Sequence, residues 1–152
     1  MATRTDKFLS PDQLGVAPKE YDALVEVLDQ LESGEIVYDP TMDTEKRGFN
    51  FATVALHHKR GVCACIVGWA KLLGGNSTFE STVEKLAFDP VRKILPVSSK
   101  LEALIDLFFG PVARKWKLES ITPQQAAEAI RNFLTVGAPK WDEIVPDWQK
   151  EP

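Results

Sequence analysis

Between residues 18 and 33 the apolar side chains Tyr21, Leu24, Val25, Leu28 and Leu31 recur at three- and four-residue spacing, with Glu20, Asp22, Glu26, Asp29 and Glu32 between them. This predicts an amphipathic helix with an acidic outer face, closed by Gly34, which tolerates the left-handed conformation of a C′ residue. Four capping boxes mark further helix starts, because a Ser or Thr side chain can accept from the N3 amide while a Gln or Glu at N3 reaches back. Ser10-Pro11-Asp12-Gln13 opens about one turn, limited by Gly15 and Pro18. Ser77-Thr78-Phe79-Glu80 leads into Phe79, Val83, Leu86 and Ala87 on one helical face, which Asp89-Pro90 ends; Pro96 closes whatever turn follows. Ser99-Lys100-Leu101-Glu102 precedes the stripe Leu101, Leu104, Ile105 and Phe108, ended by Gly110-Pro111. Thr122-Pro123-Gln124-Gln125 precedes Ala126, Ile130, Phe133 and Leu134, with Gly137 at the end.

Strand patterns are fewer. Residues 35–38 and 49–54 are short, rich in β-formers and separated by a polar loop containing Pro40 and Gly48, so a small two-stranded ribbon is expected. From Val62 to Leu73 the only charge is Lys71, which predicts a helix that is apolar nearly all round and belongs at the centre of the fold. Gly68 in its interior costs about 1 kcal/mol relative to alanine, tolerable where another backbone approaches beside Trp69. Trp141 and Trp148 are expected to lie across the helices. The pattern describes a mainly α fold, a single compact helical domain over residues 1–152 with a buried central helix.

Size and composition agree with that picture. A chain of 152 residues buries roughly 70% of the surface that its unfolded form exposes, so neither disulfides nor a structural metal are needed for stability. An apolar fraction of 44% and a charged fraction of 26% exclude disordered and collagenous classes. No apolar run approaches the ~20 residues that span a bilayer, and the first residues lack the apolar core of a secretory signal. Two cysteines separated by one residue suit a reducing cytoplasm. The net charge of −4 argues against a nucleic-acid binder, yet its placement is uneven. Residues 1–45 carry 3 basic and 11 acidic side chains, residues 46–117 carry 12 and 5, and residues 118–152 carry 3 and 6. Such blocks either neutralise one another within the chain or orient a partner or a second copy.

The candidate chemistry is concentrated in one stretch, HHKRGVCACIVGWA at residues 57–70, which holds both histidines and both cysteines. On a regular helix residues two apart point ~200° away from each other, so Cys63 and Cys65 cannot both face one metal ion within it. The spacing also matches no zinc-ligand pattern, and no metal or cofactor is expected. Cys63 at the start of the expected helix would have its thiol pKa lowered by the helix dipole and by Lys59 and Arg60, with His58 or His57 as base. That arrangement is similar to papain-like hydrolases and amidotransferases, although there the histidine arrives from a distant strand. The competing reading makes both cysteines small core residues.

Phe49-Asn50-Phe51, then Gly61-x-x-x-Cys65-Ile66-x-Gly68-Trp69-Ala70, then Thr122-Pro123-Gln124-Gln125-Ala126 leading to Gly137 and Trp141, resemble an uncharacterised family of small bacterial and phage-encoded proteins. Its members carry F-[DN]-M, C-G-T-x-x-C-x-x-G-W-A and T-P-x-Q-A segments, and the resemblance covers residues 46–141. It implies kinship and no particular activity. Arg60 stands where the family has its first cysteine, Val62 where it has threonine, and Phe51 where it has methionine. A device needing both family cysteines is therefore not available here, and the matching residues all have packing or turn roles.

Two other clusters read as surface. Asp39-Pro40-Thr41-Met42-Asp43-Thr44-Glu45 lacks the residue order of a calcium loop and is expected to be a solvated turn. Arg114-Lys115-Trp116-Lys117 is a short basic and aromatic edge, read as snorkelling surface rather than a strand-binding site. The sequence thus describes a non-catalytic cytoplasmic interaction or structural protein of prophage-like kin. Its partner is another protein or itself, with no membrane and no nucleic acid. The alternative is a cysteine-dependent hydrolase or transferase using Cys63 with His58.

Overall fold

The structure, a computed structural model, describes residues 8–39, 47–50, 56–57, 62–75, 103–104, 107–108 and 120–145, with backbone alone at 56–57, 62 and 63. The expected helix of residues 77–87, the breaks at Asp89-Pro90, Pro96 and Gly110-Pro111, the Ser99 box, the Arg114–Lys117 cluster and Trp148 lie outside the described residues.

The fold is mainly α. Helix α1 (Pro11–Leu14) is one turn with both halves of its box formed: the Gln13 amide donates to Ser10 Oγ at 3.2 Å and the Ser10 amide to Gln13 Oε1 at 2.9 Å. Helix α2 (Pro18–Ser33) begins at an alanine N-cap, so only the return half is available, with the Ala17 amide donating to the Glu20 carboxylate at 2.9 Å. It stops at Gly34, whose φ of 85° is left-handed. Its buried stripe is Ala23, Leu24, Val27, Leu28, Gln30 and Leu31, while Tyr21 and Val25 are half-buried. The helix is thus rotated from the expected face, and a glutamine enters the interior.

Helix α3 (Ile66–Gly74) packs along α2 on one side, and α4 (Pro123–Val136) packs on it from another. The Thr122 box of α4 forms as expected, with Gln125 N–H to Thr122 Oγ1 at 3.2 Å and Thr122 N–H to Gln125 Oε1 at 3.0 Å. Ala126, Ile130, Phe133 and Leu134 are all buried, and Gly137 ends the helix at φ 83°. Short α5 (Trp141–Ile144) tucks the Trp141 indole into the core. Residues 103–104 and 107–108 are helical, and Leu104, Leu107 and Phe108 join the same apolar cluster. Each such buried side chain contributes roughly 1.5–3 kcal/mol of hydrophobic stabilisation.

Strands β1 (Ile36–Tyr38), β2 (Arg47–Phe49), β3 (Leu56–His57) and β4 (Val62–Ala64) form one sheet in the order β1-β2-β4-β3. The first two pairs are parallel, with Ile36, Arg47 and Val62 on one rung and Tyr38, Phe49 and Ala64 two rungs on; β3 runs antiparallel to β4. The two-stranded ribbon is therefore part of a larger mixed sheet, and its second strand lies before Asn50 rather than over residues 49–54, of which 51–54 are outside the described residues. The expected helix at 62–73 also divides: three residues are strand, and α3 begins only at Ile66. A short apolar run bounded by Gly61 fits a buried strand as well as a buried helix. Pairing with β2 and β3 satisfies the backbone of residues 62–64 that a helix would otherwise have to satisfy.

Candidate functional site

The stretch that concentrates histidine and cysteine unfolds along the sheet. His57 ends β3, Cys63 is the middle residue of β4, and Cys65 is the N-cap of α3; His58, Lys59, Arg60 and Gly61 lie outside the described residues. Cys63 pairs in register with Leu56 and with Gly48, whereas His57 pairs with Val62. The histidine and the cysteine occupy consecutive rungs rather than a common one. Cys63 is also not the first residue of the helix, so the dipole argument belongs to Cys65 instead.

Cys65 shows which effect wins there. Its thiol is a free cysteine, buried beneath the start of α3, and the backbone amides of Gly68 and Val67 favour the thiolate. Burial outweighs them and pushes its pKa up from 9.0 to about 11. The group is a protonated core thiol at neutral pH, as expected for a packing residue.

Beside Cys65, at the carboxyl ends of the three parallel strands, stand Asp39 and Asn50, both buried. The ladder runs one rung past the strands: Asp39 N–H donates to Phe49 O at 2.9 Å and Asn50 N–H to Ala64 O at 3.1 Å. Asn50 Nδ2 then donates to Asp39 O at 3.1 Å and ties β1 to β2 beyond their last pair. Asp39 is thus an interior residue and not part of a solvated turn, which corrects the sequence expectation for that position; residues 40–45 are outside the described residues. Carboxyl ends of parallel strands are where open α/β sheets bind ligands. In this sheet, the Asn50 amide spends a donor on holding neighbouring strands together.

The amino end is built differently. Arg47, the first residue of β2, is exposed, yet its guanidinium is held: Nη1 donates to Gln30 Oε1, and Cζ lies 6.0 Å from the Trp69 ring centroid. Gln30 is buried and passes its own Nε2 to Glu26 Oε1 at 2.9 Å. Trp69 donates its indole N–H to Gly48 O at 2.7 Å, which fastens α3 to the middle of β2. Sequence reading placed Trp69 in the core and passed over Arg47 and Gln30; the one available cue was a glutamine three residues after Val27 on the apolar side of α2.

Between α2 and α4 runs an open cleft of about 360 Å³ lined by Leu31, Glu32, Gln124, Ala127, Glu128 and Arg131. Arg131 bonds Glu32 across it, so the cleft is bridged by charge. Among the described residues no three His, Cys, Asp or Glu side chains lie close enough to hold a metal ion, and no helix is long and apolar enough to cross a membrane. No protein-family model, curated protein or solved structure matches the chain.

Proposed function

We propose that the protein is a non-catalytic interaction protein of the cytoplasm, kin to the small bacterial and phage-encoded proteins that its motifs resemble, working through its charged surfaces on another macromolecule or on a second copy. The observation that carries this reading is that Cys63 lies in the middle of β4, while the N-cap of α3, where a helix start would activate a thiol, is taken by the buried Cys65. The neighbouring Asn50 amide serves strand pairing, which is a structural use of a polar group. The rival reading moves the chemistry to Cys63 with His58.

Thiol reactivity separates the two. Iodoacetamide at neutral pH is expected to leave Cys65 untouched until denaturant is added, and a Cys65→Ala variant is expected to alkylate at Cys63 no faster than an ordinary thiol. Rapid modification of Cys63 in that folded variant, suppressed by His58→Ala, would establish the hydrolase or transferase reading instead.

A further inference from the structure

We propose that the cleft between α2 and α4 is a docking site for a lysine or arginine side chain carried by a basic segment of a partner protein. This rests on the interaction reading above and names the chemistry of the partner.

The first observation is a charge left over inside the cleft. Glu32 and Glu128 both line it, and among the described lining residues Arg131 is the one cation. Arg131 could pair with Glu128, three residues before it on the same helix, yet it reaches across to Glu32 instead. Among the described residues no cation lies within 4.0 Å of the Glu128 carboxylate, and that side chain is exposed. The cleft therefore carries two carboxylates against one guanidinium. Its α2 wall adds to the imbalance: Leu31 and Glu32 belong to the last turn of that helix, which holds no basic side chain and whose backbone presents about half a negative charge.

The second observation is the shape of the lining. Leu31 and Ala127, both buried, give the cleft apolar surface, whereas Gln124 and Glu128 are exposed. A lysine or arginine side chain has the matching form, an aliphatic stem that packs on apolar surface and a charged head that stays near water. Gln124, one turn before Glu128, offers an amide oxygen to the same head. A free small cation fits less well, because a small-molecule site buries roughly 70–90% of its ligand, and this cleft of about 360 Å³ is open. A side chain whose backbone remains outside needs no such enclosure. A nucleic acid is disfavoured by sign, since the surplus negative charge would repel its phosphates.

Titration of the full chain with an acetylated, amidated peptide of alternating arginine and glycine tests it, read by amide chemical shifts in two-dimensional NMR. Shifts are expected at Leu31, Gln124, Ala127 and Glu128. The same peptide with citrulline in place of arginine, which keeps the shape and loses the charge, should produce none. Removing one partner of a surface charge pair changes affinity by about two- to fivefold. Glu128→Gln should therefore weaken binding by that factor. Arg131→Gln should strengthen it by a similar one, since it frees Glu32; both side chains reach solvent, so circular dichroism should remain native. Absence of shifts at these residues, equal binding of the citrulline peptide, a Glu128→Gln variant without effect, or an Arg131→Gln variant that binds more weakly would each overturn the proposal. So would spermidine bound there as tightly as the peptide, which assigns the cleft to a free amine, or a salt-sensitive dimer abolished by Glu128→Gln, which assigns it to a second copy. Any of these results together with slow thiols would remove this inference and leave the non-catalytic reading standing.

Discussion

The two ends of the sheet treat polar groups in opposite ways. At the carboxyl end Asp39, Asn50 and Cys65 are shut away from water, and the Asn50 amide extends the ladder by one rung. At the amino end Arg47 stays exposed, steadied from behind by a buried glutamine and a tryptophan. The lesson is that burial decides what a polar group does. A donor cut off from water must find its partner inside the protein, where losing it costs about 1–3 kcal/mol, whereas a steadied, exposed cation can be substituted at little cost to the fold. Stability should therefore respond strongly to changes at the carboxyl end and weakly to changes of Arg47.

Substitutions can break that contrast or sharpen it. The largest effect is expected at Trp69, which joins α3 to the sheet: Trp69→Ala should lower unfolding free energy in urea by about 3–5 kcal/mol. Trp69→Phe, which keeps an aromatic ring and gives up the N–H bond to Gly48, should cost less than half of that.

Next comes pH. The unfolded Cys65 thiol ionises near its ordinary value of 9.0 and the native one near about 11. Its contribution is complete below pH 9 and disappears as pH rises through 11, amounting to about 2–3 kcal/mol. The difference in stability between wild type and Cys65→Ala, followed from pH 8 to 12, isolates this from other groups; a difference independent of pH would mean that the thiol is not buried.

Asn50→Ala should cost about 1–2 kcal/mol by removing the amide that bridges β1 and β2, read as an earlier urea midpoint with an unchanged slope. Arg47→Ala should cost less than about 1 kcal/mol, because the side chain is exposed and its partner is a neutral amide. If Arg47→Ala proved as costly as Asn50→Ala, the two ends would not differ in kind.

Helix ends were the most legible part of the sequence because their causes are local. Ser10 with Gln13, Thr122 with Gln125, and the glycines at 34 and 137 act on amides and dihedrals within a few residues, and the structure shows all of them. The sheet was hard to read for the complementary reason. Its strands are two or three residues long, and β1, β2 and β4 pair in parallel across gaps of eight and twelve residues, so no turn signal announces those pairs. Val62 to Ala64 illustrates the limit: an apolar triplet carries no periodicity, and only its neighbours on either side make it a strand. The interior positions of Gln30, Asp39 and Asn50 were likewise invisible, since polar residues enter a core for partners that arrive from elsewhere in the chain.

Leu9, just ahead of α1, donates its amide to the carbonyl of Leu134, near the end of α4. At a synthesis rate of about 5–20 residues per second, the 125 residues from Ser10 to Leu134 take roughly 6–25 s to be made. For most of that interval, from the completion of α2 at Ser33 onward, its apolar stripe waits without the helix that covers one of its sides. The nascent chain is thus committed to finishing its fold late, and a ribosome stalled before residue 123 would hold an amphipathic helix open to whatever chaperone reaches it first.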